Sequence, residues 1–177
     1  LFPEQVEFIV NDAEDQVIIF DKTFLPLVKA VQDKIPSVRH FICLDAVDPD
    51  IQVALPHVHF YDDLIAAQNG QLEWPSFDEN LASSLCYTSG TTGHPKGVLY
   101  SHRSTVLHSY AISLPDAMNL SARDVMMPVV PMFHVNAWGT PYAAAAIGTS
   151  LVLPGPQLDG KSLVELIDRF KVTLALG

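Results

Sequence analysis

The sequence predicts a layered α/β fold: a largely parallel β-sheet with flanking helices. Two observations carry this. Short apolar runs of strand length alternate with amphipathic helical stripes along most of the 177 residues. Hydrophobic residues make up 49% of the chain, enough for a buried interior and too many for a disordered one.

Val6, Ile9, Val10 and Ala13 recur at i, i+3, i+4 and i+7, which predicts a helix over 3–13. "QVIIFD" follows as a short buried strand. Phe24, Leu27, Val28, Val31 and Ile35 form the stripe of a second helix, which Pro36 helps to stop. "VRHFICLD" is the next strand. Residues 46–80 carry scattered prolines and acids, with one helix expected near 61–68. This stretch is the expected seam between two lobes, a first α/β segment over 1–80 and a second over 81–177.

"LASSLCYT" predicts a third strand that runs straight into a glycine- and hydroxyl-rich loop. "GVLYSH" is extended after it, and a helix is expected from Arg103 to Met118. "DVMMPVVP" is another strand. A helix near 137–147, stopped by a left-handed Gly148, leads to the strand "SLVLPG". Ser162 and Glu165 match a capping box before Leu163, Leu166, Ile167 and Phe170, and "VTLALG" closes as a strand.

Composition removes several functions. The net charge of −10, from 20 acidic against 10 basic residues, disfavours nucleic acid or an anionic membrane as partner. No apolar run approaches the roughly 18–20 residues that span a bilayer. Cys43 and Cys86 are too few and too far apart for a disulfide framework or a zinc cluster, so a reduced, cytoplasmic chain is expected. The opening Leu1-Phe2-Pro3-Glu4 has neither methionine nor a signal pattern, and the chain reads as a segment of something longer.

The acid is unevenly placed. Residues 80–115 contain no Asp or Glu, yet they hold Lys96, Arg103, His94, His102 and His108. Such a window leaves room for an anion. Inside it lies "CYTSGTTGHPKGVLYSH". Glycines let a backbone turn so that several N–H groups point inward, hydroxyls add donors with little bulk, and lysine adds a point charge. Thr88, Ser89, Gly90, Thr91, Thr92, Gly93, Lys96 and Gly97 supply these parts. The spacing is not that of the two commonest nucleotide loops. Lys96 lies between Pro95 and Gly97, which a Walker loop does not allow, and Gly90 and Gly93 do not make G-x-G-x-x-G. Ser89 has no G-x-S-x-G elbow.

A second constellation, "MFHVNAWG", sits at a strand-to-helix junction, where α/β sheets bind ligands. His134 and Trp138 lie four apart and would share one face of a helix. Core packing of Trp138 and a backbone hydrogen bond from His134 is the plainer account of the same residues.

"YTSGTTGHPKG" resembles the phosphate-binding signature of the AMP-forming acyl-activating superfamily: acyl-CoA synthetases, luciferases and adenylation domains. "SHR", "VVPMFHVNAWG" and "LVLPGPQLDGKSLVELI" fit the same family, and the last two look most like bacterial medium- and long-chain fatty acid–CoA ligases. The resemblance implies an enzyme that uses MgATP to adenylate a carboxylic acid and then passes the acyl group to coenzyme A. It implies that Thr88, Ser89, Gly90, Thr91, Thr92, Gly93 and Lys96 surround the ATP phosphates, with Thr88 also the position that helps hold Mg²⁺. Lys96 and His134 would be the catalytic residues. His134, Val135 and Trp138 would border the substrate, Trp138 as a gate to an acyl tunnel. His94 falls at a variable position and receives no role.

Some family elements are absent from these residues: the Tyr-Gly-x-Thr-Glu motif, the ribose-binding aspartate, the hinge and the small C-terminal domain with its lysine. The chain is therefore expected to be part of an N-terminal AMP-binding domain, inactive by itself in thioester formation. An aryl-acid CoA ligase, an amino-acid adenylation domain and a truncated, non-catalytic nucleotide-binding module remain as alternatives. Carboxylic acid, ATP and CoA are the expected partners, and a homodimer of the parent is left open.

Overall fold

A computed structural model describes residues 2–88 and 94–177. They form two compact units, residues 2–75 with 94–96 and residues 76–88 with 97–177.

In the first unit, three parallel strands lie in the order β1 (Val17–Phe20), β2 (His40–Cys43), β3 (Val58–Phe60). Helix α1 (Pro3–Asp12) realises the first predicted stripe and buries Val10. The second stripe is α2 (Leu25–Val31), flanked by 3-10 turns, and it buries Val28 and Val31. One core gathers Phe20, Val28, Cys43, Ile51, Leu55 and Phe60, and a second gathers Val10, Val31 and Ile35. Two elements went unread in the sequence: α3 (Pro49–Ala54) and β3. Asp48 caps α3 by accepting from the Asp50 N–H at 2.9 Å, and Pro49 pre-sets its first turn. Strand β3 is only three residues long, too short to show a period. Helix α4 (Tyr61–Ala66) is the one expected near 61–68.

In the second unit, β4 (Ala82–Tyr87) and β5 (Gly97–Ser101) form an antiparallel pair with Tyr87 opposite Gly97. Helix α5 (His102–Ser113) follows at once, capped by Ser101, whose hydroxyl accepts from the Ser104 N–H. It stops five residues before the expected Met118. The cause is Pro115, which disfavours the helical region for Leu114; that residue is extended, with φ −63° and ψ 155°. A parallel sheet then runs in the order β7 (Ser150–Leu151), β6 (Val125–Pro128), β8 (Leu174–Leu176). The largely parallel character holds, but among the described residues the strands divide among three small sheets.

Helix α7 (Thr140–Ile147) ends on Gly148 at φ +86°, the left-handed stop read from the sequence. Its small residues pack: Ala143 and Ala144 are buried against Leu120 and Met126. Helix α8 (Gly160–Phe170) carries a correction. Its cap is Asp159, which accepts from the N–H groups of Lys161 and Ser162 at 3.1 Å each, so Ser162 lies inside the first turn and no Ser162–Glu165 box forms.

Candidate functional site

Residues 88–96 connect β4 to β5 at the Tyr87–Gly97 end of the pair. Thr88 directly follows β4 and Lys96 directly precedes β5; both are exposed. Of the predicted cradle, Ser89, Gly90, Thr91, Thr92 and Gly93 lie outside the described residues. Gly97 has a packing role. A Cβ there would come within 3.1 Å of the Leu85 side chain and 3.4 Å of the Tyr87 ring, so the strand pair packs closely over Gly97 and a larger residue would push these side chains aside by a few tenths of an ångström.

The other cations of the carboxylate-free window have local partners. Arg103 pairs with Glu79, just outside the window. The rings of His102 and Phe77 lie 4.5 Å apart, as do those of His94 and Phe8. The His108 ring makes a hydrogen bond described below.

The second constellation is built differently from the sequence expectation. His134 is extended, with φ −96° and ψ 103°, and the next four residues, α6 (Val135–Trp138), form one turn of the left-handed kind. Their φ values are +49°, +51°, +48° and +57°, and Gly139 continues at +73°. His134 and Trp138 therefore do not share the face of a right-handed helix. A left-handed residue other than glycine costs roughly 1–2 kcal/mol, and more for a β-branched one such as Val135. The surroundings must hold the turn.

They do so from several sides. The Asn136 side chain donates from Nδ2 to Ser84 Oγ at 3.1 Å and accepts from the Cys86 thiol at 3.3 Å, which fastens the turn to β4. The Thr140 hydroxyl donates to the Ala137 carbonyl at 2.7 Å, and both residues are buried. On the α5 side, His108 Nε2 lies 3.0 Å from the Trp138 carbonyl oxygen. A carbonyl can only accept, so Nε2 carries the hydrogen.

Between α5 and this turn lies a cavity of about 440 Å³. Tyr100, Ser104, Thr105 and His108 line it from β5 and α5, and Val135, Asn136, Trp138, Gly139 and Tyr142 from the turn and α7. The volume falls in the usual range for small-molecule sites, and the wall is mainly aromatic and aliphatic with a few polar groups. Two of the three predicted substrate-side residues, Val135 and Trp138, are in the wall. His134 is exposed and is not among the lining residues. Asn136 and His108 were missed as architectural residues. For Asn136 the signal was "VNAWG", since Asn and Gly are the residues that best tolerate positive φ; the sequence holds no signal for His108.

Among the described residues no group of three or more His, Cys, Asp or Glu is arranged to hold a metal ion, and no helix is long and apolar enough to cross a membrane. Cys43 and Cys86 are both free thiols.

The model of the AMP-binding enzyme family matches residues 1–177. The chain belongs to the AMP-binding enzyme family. It is 59% identical, over its whole length, to a 3-methylmercaptopropionyl-CoA ligase of Ruegeria lacuscaerulensis, of which it covers 33%. It is 55% identical, again over its whole length, to a medium-chain-fatty-acid–CoA ligase of Ectopseudomonas oleovorans, of which it covers 32%. The chain thus spans about a third of the length of these curated relatives. Among solved structures, the inhibitor-bound N-terminal domain of FACL13 from Mycobacterium tuberculosis superposes with a TM-score of 0.72 at 28% identity. That match covers 99% of this chain and 40% of the other.

Proposed function

We propose that the full-length protein is an AMP-forming acid–thiol ligase that activates a fatty acid with ATP and transfers the acyl group to coenzyme A. The observation that carries this reading is the cavity of about 440 Å³ where the β5–α5 segment meets the left-handed turn. Segments some thirty residues apart supply its walls, and the chemistry proposed for it is that of the CoA ligases to which the chain is similar.

In this reading residues 1–177 are part of the N-terminal AMP-binding domain. The loop from Thr88 to Lys96 holds the ATP phosphates. Its backbone N–H groups and hydroxyls donate to phosphate oxygens, and Lys96 balances charge as pyrophosphate leaves. The substrate carboxylate is itself the nucleophile, so no nucleophilic side chain is called for. Thr88 offers a hydroxyl oxygen at a strand end, a hard donor of the kind Mg²⁺ takes alongside phosphate oxygens and waters. Bound there, Mg²⁺ would supply charge stabilisation on the phosphates. Val135 and Trp138 shape the acyl side of the cavity, while His134 is exposed and is not among its lining residues. The two free thiols suit a reducing, cytoplasmic setting.

The relation to the Ruegeria ligase favours a second substrate reading, a short thioether acid in place of a straight alkyl chain. One experiment tests both. The full-length protein is assayed for AMP release and CoA consumption on straight-chain acids, 3-methylmercaptopropionate, aryl acids and amino acids. Highest kcat/KM on a straight-chain acid supports the first reading, and on the thioether acid the second. Highest turnover on aryl or amino acids overturns both.

A further inference from the structure

Helix α5 and the turn α6 touch through one directed contact. His108 Nε2 donates to the Trp138 carbonyl at 3.0 Å, and the His108 ring lies so close to Gly139 that a Cβ there would be 2.6 Å from His108 Cδ2. The contact falls on the residue whose indole lines the cavity. It also closes the part of the turn that Asn136 does not reach, since the Asn136 bonds act on the opposite, β4 side. Of the five successive residues at positive φ, the four that are not glycine have a right-handed alternative of lower backbone energy, so the turn keeps its hand only while its carbonyls and side chains are held.

We propose that His108 is a positioning residue: it holds the Trp138 carbonyl, keeps the left-handed turn, and so fixes the indole that decides which acyl chains the cavity admits. This rests on the reading of the cavity as the acyl site. No proton leaves or enters His108 in this role. It acts through backbone geometry, and the imidazole is needed for a donor at the Nε2 position.

The test uses the full-length protein with His108→Ala and His108→Gln, the glutamine amide placing an N–H near the position of Nε2. AMP release is measured across straight-chain acids, with KM for ATP in parallel. His108→Ala is expected to change the ratio of kcat/KM between short and long acids by about tenfold, the scale set by misfit of one or two methylenes, and to leave KM for ATP unchanged. His108→Gln is expected to restore the ratio. An unchanged ratio in His108→Ala overturns the proposal, as does an equal change in both variants.

An arm independent of turnover reads Trp138 itself. Its emission is isolated by subtracting the spectrum of the matching Trp138→Phe protein in each background. A red shift in His108→Ala that His108→Gln reverses supports the clamp, and an unshifted emission overturns it. Should the wild-type protein release no AMP with any straight-chain acid, the functional reading fails while the emission still decides the clamp.

Discussion

Asn136 donates from Nδ2 to Ser84 Oγ across 3.1 Å and thereby ties a left-handed turn to strand β4, two residues away from the thiol of Cys86 that it also binds. The residue does two jobs, since asparagine also tolerates the φ of +51° better than most side chains. Replacing it separates them. Asn136→Ala loses both bonds and adds backbone strain, and should lower stability by about 1–3 kcal/mol. Asn136→Gly loses the same bonds without the strain and should cost less. Denaturant unfolding of the full-length protein gives both numbers. Equal losses would mean that the bonds alone explain the choice of asparagine.

Gly139 tests the opposite side of the turn. At φ +73° an alanine is strained whatever the space, and its Cβ would also meet the His108 ring at 2.6 Å. Gly139→Ala should therefore cost about 1–3 kcal/mol. In a His108→Ala background the steric part disappears and the φ part stays. The double-mutant cycle should show a smaller loss for Gly139→Ala there than in the wild type. Additive losses would mean that the ring simply moves aside.

Much of this was legible in the sequence because the signals were local and periodic. Helix α1 announced itself through Val6, Ile9 and Val10, and Gly148 marked the end of α7. The errors also have local causes. Pro115 truncates α5, and Asp159 caps α8 in place of Ser162, a competition between two cap formers three residues apart that spacing alone does not decide. The site was half-legible. Val135 and Trp138, expected to border the substrate, line a cavity, but the handedness of their turn was not legible, because His134 and Trp138 at i and i+4 imitate a right-handed helix. His108 and Asn136 could not be read as partners of the turn, since their contacts reach across 30 and about 50 residues of sequence to Trp138, Cys86 and Ser84.

Asp124 makes a prediction in acid. Its carboxylate accepts from the Ser121 hydroxyl at 2.7 Å, the Ser121 N–H at 2.8 Å and the Thr173 hydroxyl at 3.0 Å, linking the start of β6 to the residue before β8. These bonds, led by that from the Ser121 hydroxyl, hold the Asp124 carboxyl below the usual carboxylate range. A group depressed in the folded state binds its proton more readily when unfolded. Its contribution is therefore complete above the ordinary aspartate range, near pH 4, and is lost as pH falls through the folded value. Asp124→Asn should lower stability at neutral pH and narrow its gap to wild type as the medium is acidified. A gap that stays constant to low pH would remove the carboxylate from this account.

Trp138 is the last and most direct test of the cavity. Trp138 is 42% exposed and lies in the wall with Val135 and Tyr142. On the proposed reading of the cavity as the acyl site, Trp138→Ala should widen it and weaken its selection among acids of different length. The ratio of kcat/KM between short and long straight-chain acids should move toward longer chains by about tenfold or more. KM for ATP is expected to change little, since Trp138 lies in the cavity wall and outside the segment proposed to hold the phosphates. Trp138→Phe keeps a flat apolar ring and should fall between the two. Identical chain-length profiles for all three proteins would show that the indole does not border the acyl group. Parallel losses on every acid, with KM for ATP raised as well, would instead assign Trp138 to the integrity of the turn.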